Sequence, residues 1–254
     1  MPELASIAAR LDEAAVTARA VAQLPEPLSL DNAYAVQAAL LQCRYDRGER
    51  RIGVKMGFTS RAKMAQMGVD EMIWGRLTDG MLVEDGGDID IARYVHPRAE
   101  PEIAFLLKAP LAGKVSMTEA MAAVAAVAPA IEIIDSRYEN FRFSLTDVVA
   151  DNSSSSGVVL GPWCDPATDV ANLGMVVEID GRPALIGSSA AILGHPARSL
   201  VAAARLVALR GERLEAGDIV LAGAATAAEA LKPGQRLRLS VERLGAVGFR
   251  TRMG

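Results

Sequence analysis

Two glutamates separated by a single proline are the first indication of chemistry in this sequence. Glu100 and Glu102 flank Pro101 at the start of a largely apolar segment. In an extended strand, alternate residues face the same side, with Cα atoms roughly 6.6–7 Å apart. The two carboxylates therefore lie side by side, and they repel each other unless a positive charge lies between them.

A third acid, Glu132, stands in the apolar stretch PAIEII at residues 129–134. An unpaired carboxylate is costly to bury in such surroundings. One hard divalent cation on Glu100, Glu102 and Glu132 would remove both problems, and an all-oxygen ligand set favours Mg²⁺ or Mn²⁺ over Zn²⁺. Two alternatives stay open: a solvated strand face paired with Arg98, and a buried ion pair between Glu132 and an arginine or lysine.

Lys55 is the basic residue that we single out. In the segment IGVKMG, residues 52–57, strand alternation places Lys55 on the same side as Gly53 and Gly57. We expect the glycines to leave room around the ammonium group for a small anionic ligand. The alternative is a surface lysine on an edge strand.

The serine run DNSSSSG, residues 151–157, is a further candidate for binding an anion. Its hydroxyl and backbone N–H groups can donate hydrogen bonds to a carboxylate. The alternative is a flexible loop, which is the usual structure of such a run. His195, just before Pro196 at a helix entrance, is expected to make a structural hydrogen bond rather than to act as a base.

The elements that must position these residues fall into two groups. The first group lies in the N-terminal part of the chain, where alanine-rich stretches predict helices. Asp31 is expected to cap the second of these helices. This group is predicted to contain helices over 4–23 and 31–47, a strand over 51–58 and a short helix over 60–67.

From about residue 82 the pattern changes to strands and turns. Ser116 and Glu119 form a capping-box signature, and Asp180-Gly181 predicts a hairpin turn. Strands are predicted over 100–108, 130–134, 175–179, 218–222 and 236–241. The class is therefore α+β, with a mainly helical N-terminal segment, 1–80, that contributes Lys55, and a β-rich catalytic core over 81–254.

Composition excludes several function classes. The 254 residues carry 27 Lys+Arg against 31 Asp+Glu, a balance that argues against a nucleic-acid partner. The apolar runs are too short for a membrane span and the N-terminus lacks a signal-peptide pattern, so we expect a cytoplasmic protein. Two distant cysteines and two histidines exclude a disulfide scaffold and a His-rich zinc site, and no phosphate-binding loop is found.

Five segments, taken in order, resemble one known family. They are GVKMGFTS (53–60), HPRAEPE (96–102), EIIDSR (132–137), DNSSS (151–155) and LGHP (193–196). They resemble the hydratase/decarboxylase family of meta-cleavage catabolism, which belongs to the fumarylacetoacetate hydrolase superfamily. The resemblance runs from about residue 30 to near the C-terminus. It implies a fumarylacetoacetase-like β-rich roll with a helical N-terminal portion.

The resemblance also implies roles for individual residues. It implies Mg²⁺, with Mn²⁺ as the alternative, on the three glutamates named above, and a substrate-facing Lys55. It implies that a serine among Ser153, Ser154 and Ser155 binds the substrate carboxylate. Asp79 matches an acid proposed for proton transfer in the family.

Within the family, three segments favour the decarboxylases over the hydratases: KMAQMGV (63–69), SRYENF (136–141) and AGAATAA (222–228). The implied reaction is the Mg²⁺-dependent decarboxylation of 2-oxohex-3-enedioate to 2-hydroxypenta-2,4-dienoate in aromatic catabolism. The alternative is hydration of 2-hydroxypenta-2,4-dienoate on the same metal scaffold.

The expected partners are a small 2-oxo dicarboxylate substrate, further copies of this chain in a homo-oligomer, and the hydratase of the pathway. A membrane partner is not expected. Two other classes are weaker alternatives. The three acids and Lys55 argue against a non-catalytic scaffold, and the absence of a convincing Glu-His pair argues against an acylpyruvate hydrolase.

Overall fold

The computed structural model describes residues 2–60, residue 64 and residues 71–254, and its chain begins with two helices. Helix α1 spans Pro2–Thr17, and helix α2 spans Leu30–Asp46. The first helix is shorter than predicted, since the chain enters the left-handed region at Ala18, where φ is 51°. Ser29, rather than Asp31, caps α2, because its hydroxyl accepts a hydrogen bond from the Asn32 N–H.

The strands of the described residues form two sheets. The strands are β1 (Arg51–Gly57), β2 (Ile73–Thr78), β3 (Leu82–Val83), β4 (Asp88–Asp90), β5 (Arg98–Leu107), β6 (Val124–Ile134), β7 (Ser155–Leu160), β8 (Gly174–Ile179), β9 (Arg182–Ser188), β10 (Ile219–Leu221), β11 (Glu229–Ala230), β12 (Arg236–Val241) and β13 (Gly245–Arg252). The larger sheet has the order β2-β1-β10-β5-β6-β7-β3, with β11 paired to β5, and the smaller has the order β4-β13-β12-β8-β9. The predicted α+β class, with N-terminal helices and a β-rich core, is confirmed.

The N-terminal segment and the core share the larger sheet. Strand β1 pairs with β10 in parallel and with β2 antiparallel. Strand β2 was not predicted, because it is buried along its whole length and therefore lacks alternation between apolar and polar residues. Lys55 consequently sits inside the sheet that also carries the acidic residues.

The described residues form three further α-helices, α3 (Met117–Ala122), α4 (Leu145–Ala150) and α5 (Ala197–Ala208). The capping box of Ser116 and Glu119 is confirmed at the start of α3. The predicted hairpin is also confirmed, with positive φ at both Asp180 and Gly181. Strand β6 begins at Val124, six residues earlier than predicted, and most of the helix predicted over 60–67 lies outside the described residues.

Strands β5 and β6 are long antiparallel neighbours, and they divide apolar from acidic positions. Ile103 and Phe105 are buried in the main hydrophobic core, while Glu100 and Glu102 take alternating positions on the opposite face of β5. Burial of the apolar side chains on one face of β5 therefore fixes its register with β6, and this register places Glu100 and Glu102 on the opposite face. In the described part of the chain, every helix falls short of the length and apolarity that crossing a bilayer requires.

Candidate metal and substrate site

The three glutamates meet on neighbouring strands. Glu100 and Glu102 lie two residues apart on β5, and Glu132 lies directly opposite Glu100 on β6. One carboxylate oxygen of each residue lies within 4.8 Å of those of the other two. Glu102 and Glu132 are fully buried, and Glu100 borders a cavity. Sequence spacing and strand pairing together gather three negative groups at one point.

Lys55 enters this cluster from β1. Its Nζ lies 3.0 Å from Glu132 Oε2 and donates a hydrogen bond of 3.1 Å to the Ser153 carbonyl oxygen. Only 3% of the residue is exposed. The buried ion pair that the sequence left open as an alternative for Glu132 is therefore present, and it coexists with the three-carboxylate cluster.

The glycines beside Lys55 do not leave open room, contrary to our expectation. Gly53 has φ 151°, and a Cβ there would lie 1.9 Å from the Ile219 carbonyl oxygen of the adjacent strand. A Cβ at Gly57 would lie 2.8 Å from the Ile73 side chain. Both glycines instead permit close packing of neighbouring backbone and side chains, as strand glycines often do.

Burial and mutual repulsion dominate the electrostatics of the cluster. Burial, reinforced by Glu132, raises the pKa of Glu102 well above its usual range, and Lys55 opposes this only in part. Burial also raises the pKa of Glu132, with Lys55 again opposing. For Lys55, burial acts to lower the pKa, but the charges of the three glutamates outweigh it and raise the pKa above its ordinary value. The cluster therefore holds more negative charge than one ammonium group can balance.

The donor atoms suit a hard divalent cation. Among the described residues, Oε1 of Glu102 and Oε1 of Glu132 are buried without a hydrogen-bond partner. Buried carboxylate oxygens are normally satisfied by hydrogen bonds or by metal ions. A cation bound by Glu100, Glu102 and Glu132 would satisfy them, and oxygen ligands alone favour Mg²⁺ or Mn²⁺.

Gly223 supports the cluster from the loop that follows β10. Its N–H donates a hydrogen bond of 2.6 Å to Glu102 Oε2, which directs the other oxygen, Oε1, away from the loop. Its φ is +100°, and a Cβ at this position would lie 2.1 Å from Thr59 Oγ1. Only glycine combines this conformation with this close approach.

A cavity of about 330 Å³ opens beside the cluster. Its polar lining contains Lys55, Arg98 and Glu100, together with hydroxyl groups. Its apolar lining comes from bulky side chains on several elements, among them Ile73, Ile134, Phe141, Phe143 and Val148. A largely apolar cavity with a few converging polar groups is the usual form of a small-molecule site.

The serine run forms a buried turn that leads directly into β7. Asn152, Ser153 and Ser154 all have positive φ, which is unusual for three consecutive residues without glycine. The Ser153 hydroxyl donates to the Trp74 carbonyl oxygen at 2.8 Å. The Ser154 hydroxyl is buried with no hydrogen-bond partner among the described residues. Ser153 and Ser154 both line the cavity. Ser155 is outside the cavity lining, with its hydroxyl 3.9 Å from Met81 Sδ.

Asp79 is not brought to the cavity. It is exposed in the turn that follows β2, and its Oδ1 accepts a hydrogen bond from the Arg50 N–H. The chain turns at this point and carries Asp79 away from the buried face of the strand. His195 makes a structural hydrogen bond, as expected, because its Nδ1 accepts from the Ala197 N–H at 3.1 Å.

Sequence reasoning missed two residues of the site. Arg98 was considered only as a partner for Glu100 and Glu102, yet it lines the cavity, with its guanidinium Cζ 4.3 Å from the centroid of the Phe141 ring. Its position two residues before Glu100 could have revealed this, because alternate strand residues share a face. Phe141 had no such signal, since it lies on a loop.

Comparison with known proteins agrees with this geometry. The family model described as fumarylacetoacetate (FAA) hydrolase C-terminal matches residues 54–251, which include all three glutamates and Lys55. The chain belongs to the fumarylacetoacetate hydrolase family. The β-rich fold predicted from the resemblance is thereby confirmed.

Three relatives illustrate where the chain lies within the fumarylacetoacetate hydrolase family. A 4-oxalocrotonate decarboxylase from a Pseudomonas species is 59% identical over 251 residues, 98% of each chain. A solved 4-oxalocrotonate decarboxylase from Pseudomonas putida G7, complexed with magnesium and adipate, has a TM-score of 0.95 and 38% identity, covering 98% of this chain and 97% of that one. A 2-hydroxyhexa-2,4-dienoate hydratase from Comamonas testosteroni is 36% identical, covering 93% of this chain and 92% of the hydratase.

Proposed function

We propose that this protein catalyses the Mg²⁺-dependent decarboxylation of 2-oxohex-3-enedioate, also called 4-oxalocrotonate, to 2-hydroxypenta-2,4-dienoate. The observation that carries the proposal is the cluster of three carboxylates at the edge of a cavity, in which the Oε1 atoms of Glu102 and Glu132 are buried without a hydrogen-bond partner among the described residues. The identity of 59% to a 4-oxalocrotonate decarboxylase supports this reaction over hydration, because the hydratase relative is only 36% identical.

The chemistry of this substrate suits a metal site without an organic cofactor. When the bond between C5 and C6 breaks, its electron pair forms the C4=C5 double bond. The C3=C4 double bond moves to C2=C3, and the negative charge arrives on the 2-oxo oxygen, which then takes a proton. Mg²⁺ held by Glu100, Glu102 and Glu132 supplies a Lewis acid that favours charge on that oxygen.

The protein's own residues have separate roles in this scheme. Lys55 stays protonated beside Glu132, so it can donate a hydrogen bond or a proton to the 2-oxo oxygen. The unpartnered hydroxyl of Ser154 is suited to donate to the substrate's C1 carboxylate. Asp79 has no role here, because it is exposed outside the cavity.

The test is an assay of CO₂ release and ultraviolet absorbance on 2-oxohex-3-enedioate, first with Mg²⁺ and then with EDTA. We expect CO₂ release that EDTA abolishes. Consumption of 2-hydroxypenta-2,4-dienoate without CO₂ release would instead assign the hydratase reaction. Full activity in EDTA would overturn the metal scheme.

The cytoplasmic location, the homo-oligomer and the complex with the pathway's hydratase remain predictions from the sequence. Size-exclusion chromatography of the purified chain, alone and mixed with the hydratase, tests the last two. A single peak at the mass of one chain, unchanged by the hydratase, would contradict both.

A further inference from the structure

Arg98 shares a strand face with the acidic cluster. Positions 98, 100 and 102 of β5 alternate on one side, so Arg98 lies one same-face step, roughly 6.6–7 Å along the strand, from Glu100. Both residues line the cavity. The cavity therefore has an acidic, metal-binding end and a basic position one step further along the same strand.

The guanidinium group of Arg98 is held in place by an aromatic ring, with no counter-ion among the described residues. Its Cζ lies over the Phe141 ring, which is itself packed edge-on against His96 and Phe143. Within residues 2–60, 64 and 71–254, Arg98 forms no ion pair and its side chain donates no hydrogen bond. Stacking on an aromatic ring orients arginine and leaves its edge donors available for a carboxylate.

The loop that supplies Phe141 adopts an unfavourable backbone. Asn140 and Phe141 have φ of 58° and 57°, and a bulky residue rarely adopts this left-handed conformation. Strained backbone is concentrated at ligand-binding sites, where the surrounding structure maintains it. Here the strain coincides with the placement of an aromatic ring beneath the cavity's arginine.

We propose that Arg98 binds the second carboxylate of the substrate, the one at C6, and so makes the cavity selective for dicarboxylates. This inference rests on the proposed function. With the 2-oxo end at the glutamates, a six-carbon chain is of a length comparable to the step from Glu100 to Arg98. Without Arg98, the C6 carboxylate would face the apolar side chains of Ile134, Phe143 and Val148, where an unpaired charge is costly.

Arg98 is expected to contribute to substrate binding rather than to the chemical step. The C6 carboxylate loses its charge as the bond between C5 and C6 breaks and neutral CO₂ departs. The ion pair with Arg98 is therefore stronger with the bound substrate than at the transition state, so its loss should raise KM without lowering kcat. Arg98 keeps its proton throughout.

The experiment compares two ligands that cannot decarboxylate in this way, 2-oxohexanedioate and 2-oxohexanoate, which differ only in the second carboxylate. Their binding to the Mg²⁺-loaded protein is measured by isothermal titration calorimetry. We expect the wild type to prefer the dicarboxylate by at least about tenfold, the usual effect of a hydrogen-bonded charge pair. Arg98→Met should remove this preference and leave the affinity for 2-oxohexanoate within about twofold of that of the wild type.

Two further variants keep the test decisive. Arg98→Lys retains the charge but loses the planar, two-pronged donor geometry, so it should retain only part of the preference. Arg93→Ala, which removes an exposed arginine outside the cavity, should retain all of it. Equal affinity of the wild type for both ligands, or an unchanged preference in the Arg98 variants, would overturn this inference alone. Failure of both ligands to bind the Mg²⁺-loaded wild type would overturn the proposed function as well.

Discussion

Replacing Glu102 with glutamine should stabilise the metal-free protein while abolishing the stabilisation that Mg²⁺ provides. Glu102 is fully buried, its Oε1 is unpaired within the described structure, and burial, reinforced by repulsion from Glu132, raises its pKa. Glutamine has nearly the same shape and can still accept the hydrogen bond from Gly223 through its amide oxygen. Its NH₂ group can donate to the neighbouring carboxylates, which turns a repulsion into an attraction.

The expected magnitudes are measurable. Satisfying a buried, unpaired polar atom is worth about 1–3 kcal/mol, and each kcal/mol shifts Tm by roughly 2–4 °C in a chain of this size. At a pH above the raised pKa of Glu102, where the wild type carries the carboxylate, we therefore expect Glu102→Gln to melt roughly 2–12 °C higher than the wild type in EDTA. In the wild type, Mg²⁺ at about 100 times its Kd should add about 2.7 kcal/mol. The variant should show little of this gain.

The assay is thermal and urea unfolding of both proteins in EDTA and in excess Mg²⁺. Glu84→Gln, the same substitution at an exposed position, serves as the control and should change neither quantity. The reasoning is refuted if Glu102→Gln is less stable than the wild type in EDTA, or if Mg²⁺ stabilises the variant as much as it stabilises the wild type. Either result would mean that Glu102 is not a buried carboxylate that needs a metal ion to balance its charge.

Three further predictions concern the same cluster. Lys55→Met should destabilise the metal-free protein by about 3–5 kcal/mol and enlarge the Mg²⁺-dependent rise in Tm, because it removes the only buried cation at the described cluster. Lys108→Met, the same substitution at an exposed lysine, serves as the control and should change neither quantity. Gly223→Ala should weaken Mg²⁺ binding in calorimetry by displacing the loop, since its Cβ would clash with Thr59, and unchanged binding would contradict this. In EDTA, the Tm of the wild type should fall as pH rises from the ordinary glutamate pKa through the raised pKa of Glu102, because the folded state holds that proton more tightly than the unfolded state. A flat pH profile in the wild type, or the same slope in Glu102→Gln, would argue against this reasoning.

The gathering of the three glutamates proposed as metal ligands could be predicted in part from sequence, because strand geometry is simple. Alternation places Glu100 and Glu102 on one face, and an acid inside an apolar strand, Glu132, requires compensation. What the sequence left open was the pairing of β5 with β6, which sets Glu132 opposite Glu100. That register depends on contacts distant in sequence, which local patterns do not encode.

The surroundings of Lys55 were harder to predict, because they depend on tertiary packing. Gly53 and Gly57 could equally mark open space or close approach, and only the positions of Ile219 and Ile73 decide between the two. Phe141 reaches the cavity through a left-handed loop conformation that its residue type disfavours.

Asp79 illustrates the limit of carrying a role over by motif alone. The motif match placed Asp79 in the reaction, but the turn after β2 leaves it exposed and hydrogen-bonded to the Arg50 N–H. The direction of a side chain at a strand end depends on the turn that follows. The local sequence specified the strand end only weakly, because β2 itself lacks an alternating pattern.

The most direct test of the central claim is an anomalous diffraction measurement on crystals of this protein soaked with Mn²⁺. The structure predicts one strong peak among Glu100, Glu102 and Glu132, with an oxygen of each roughly 2.0–2.2 Å from the ion, and loss of that peak in Glu102→Gln. A wild-type crystal without a peak at this position, from protein that releases CO₂ from 2-oxohex-3-enedioate in Mn²⁺, would contradict the assignment of the metal site.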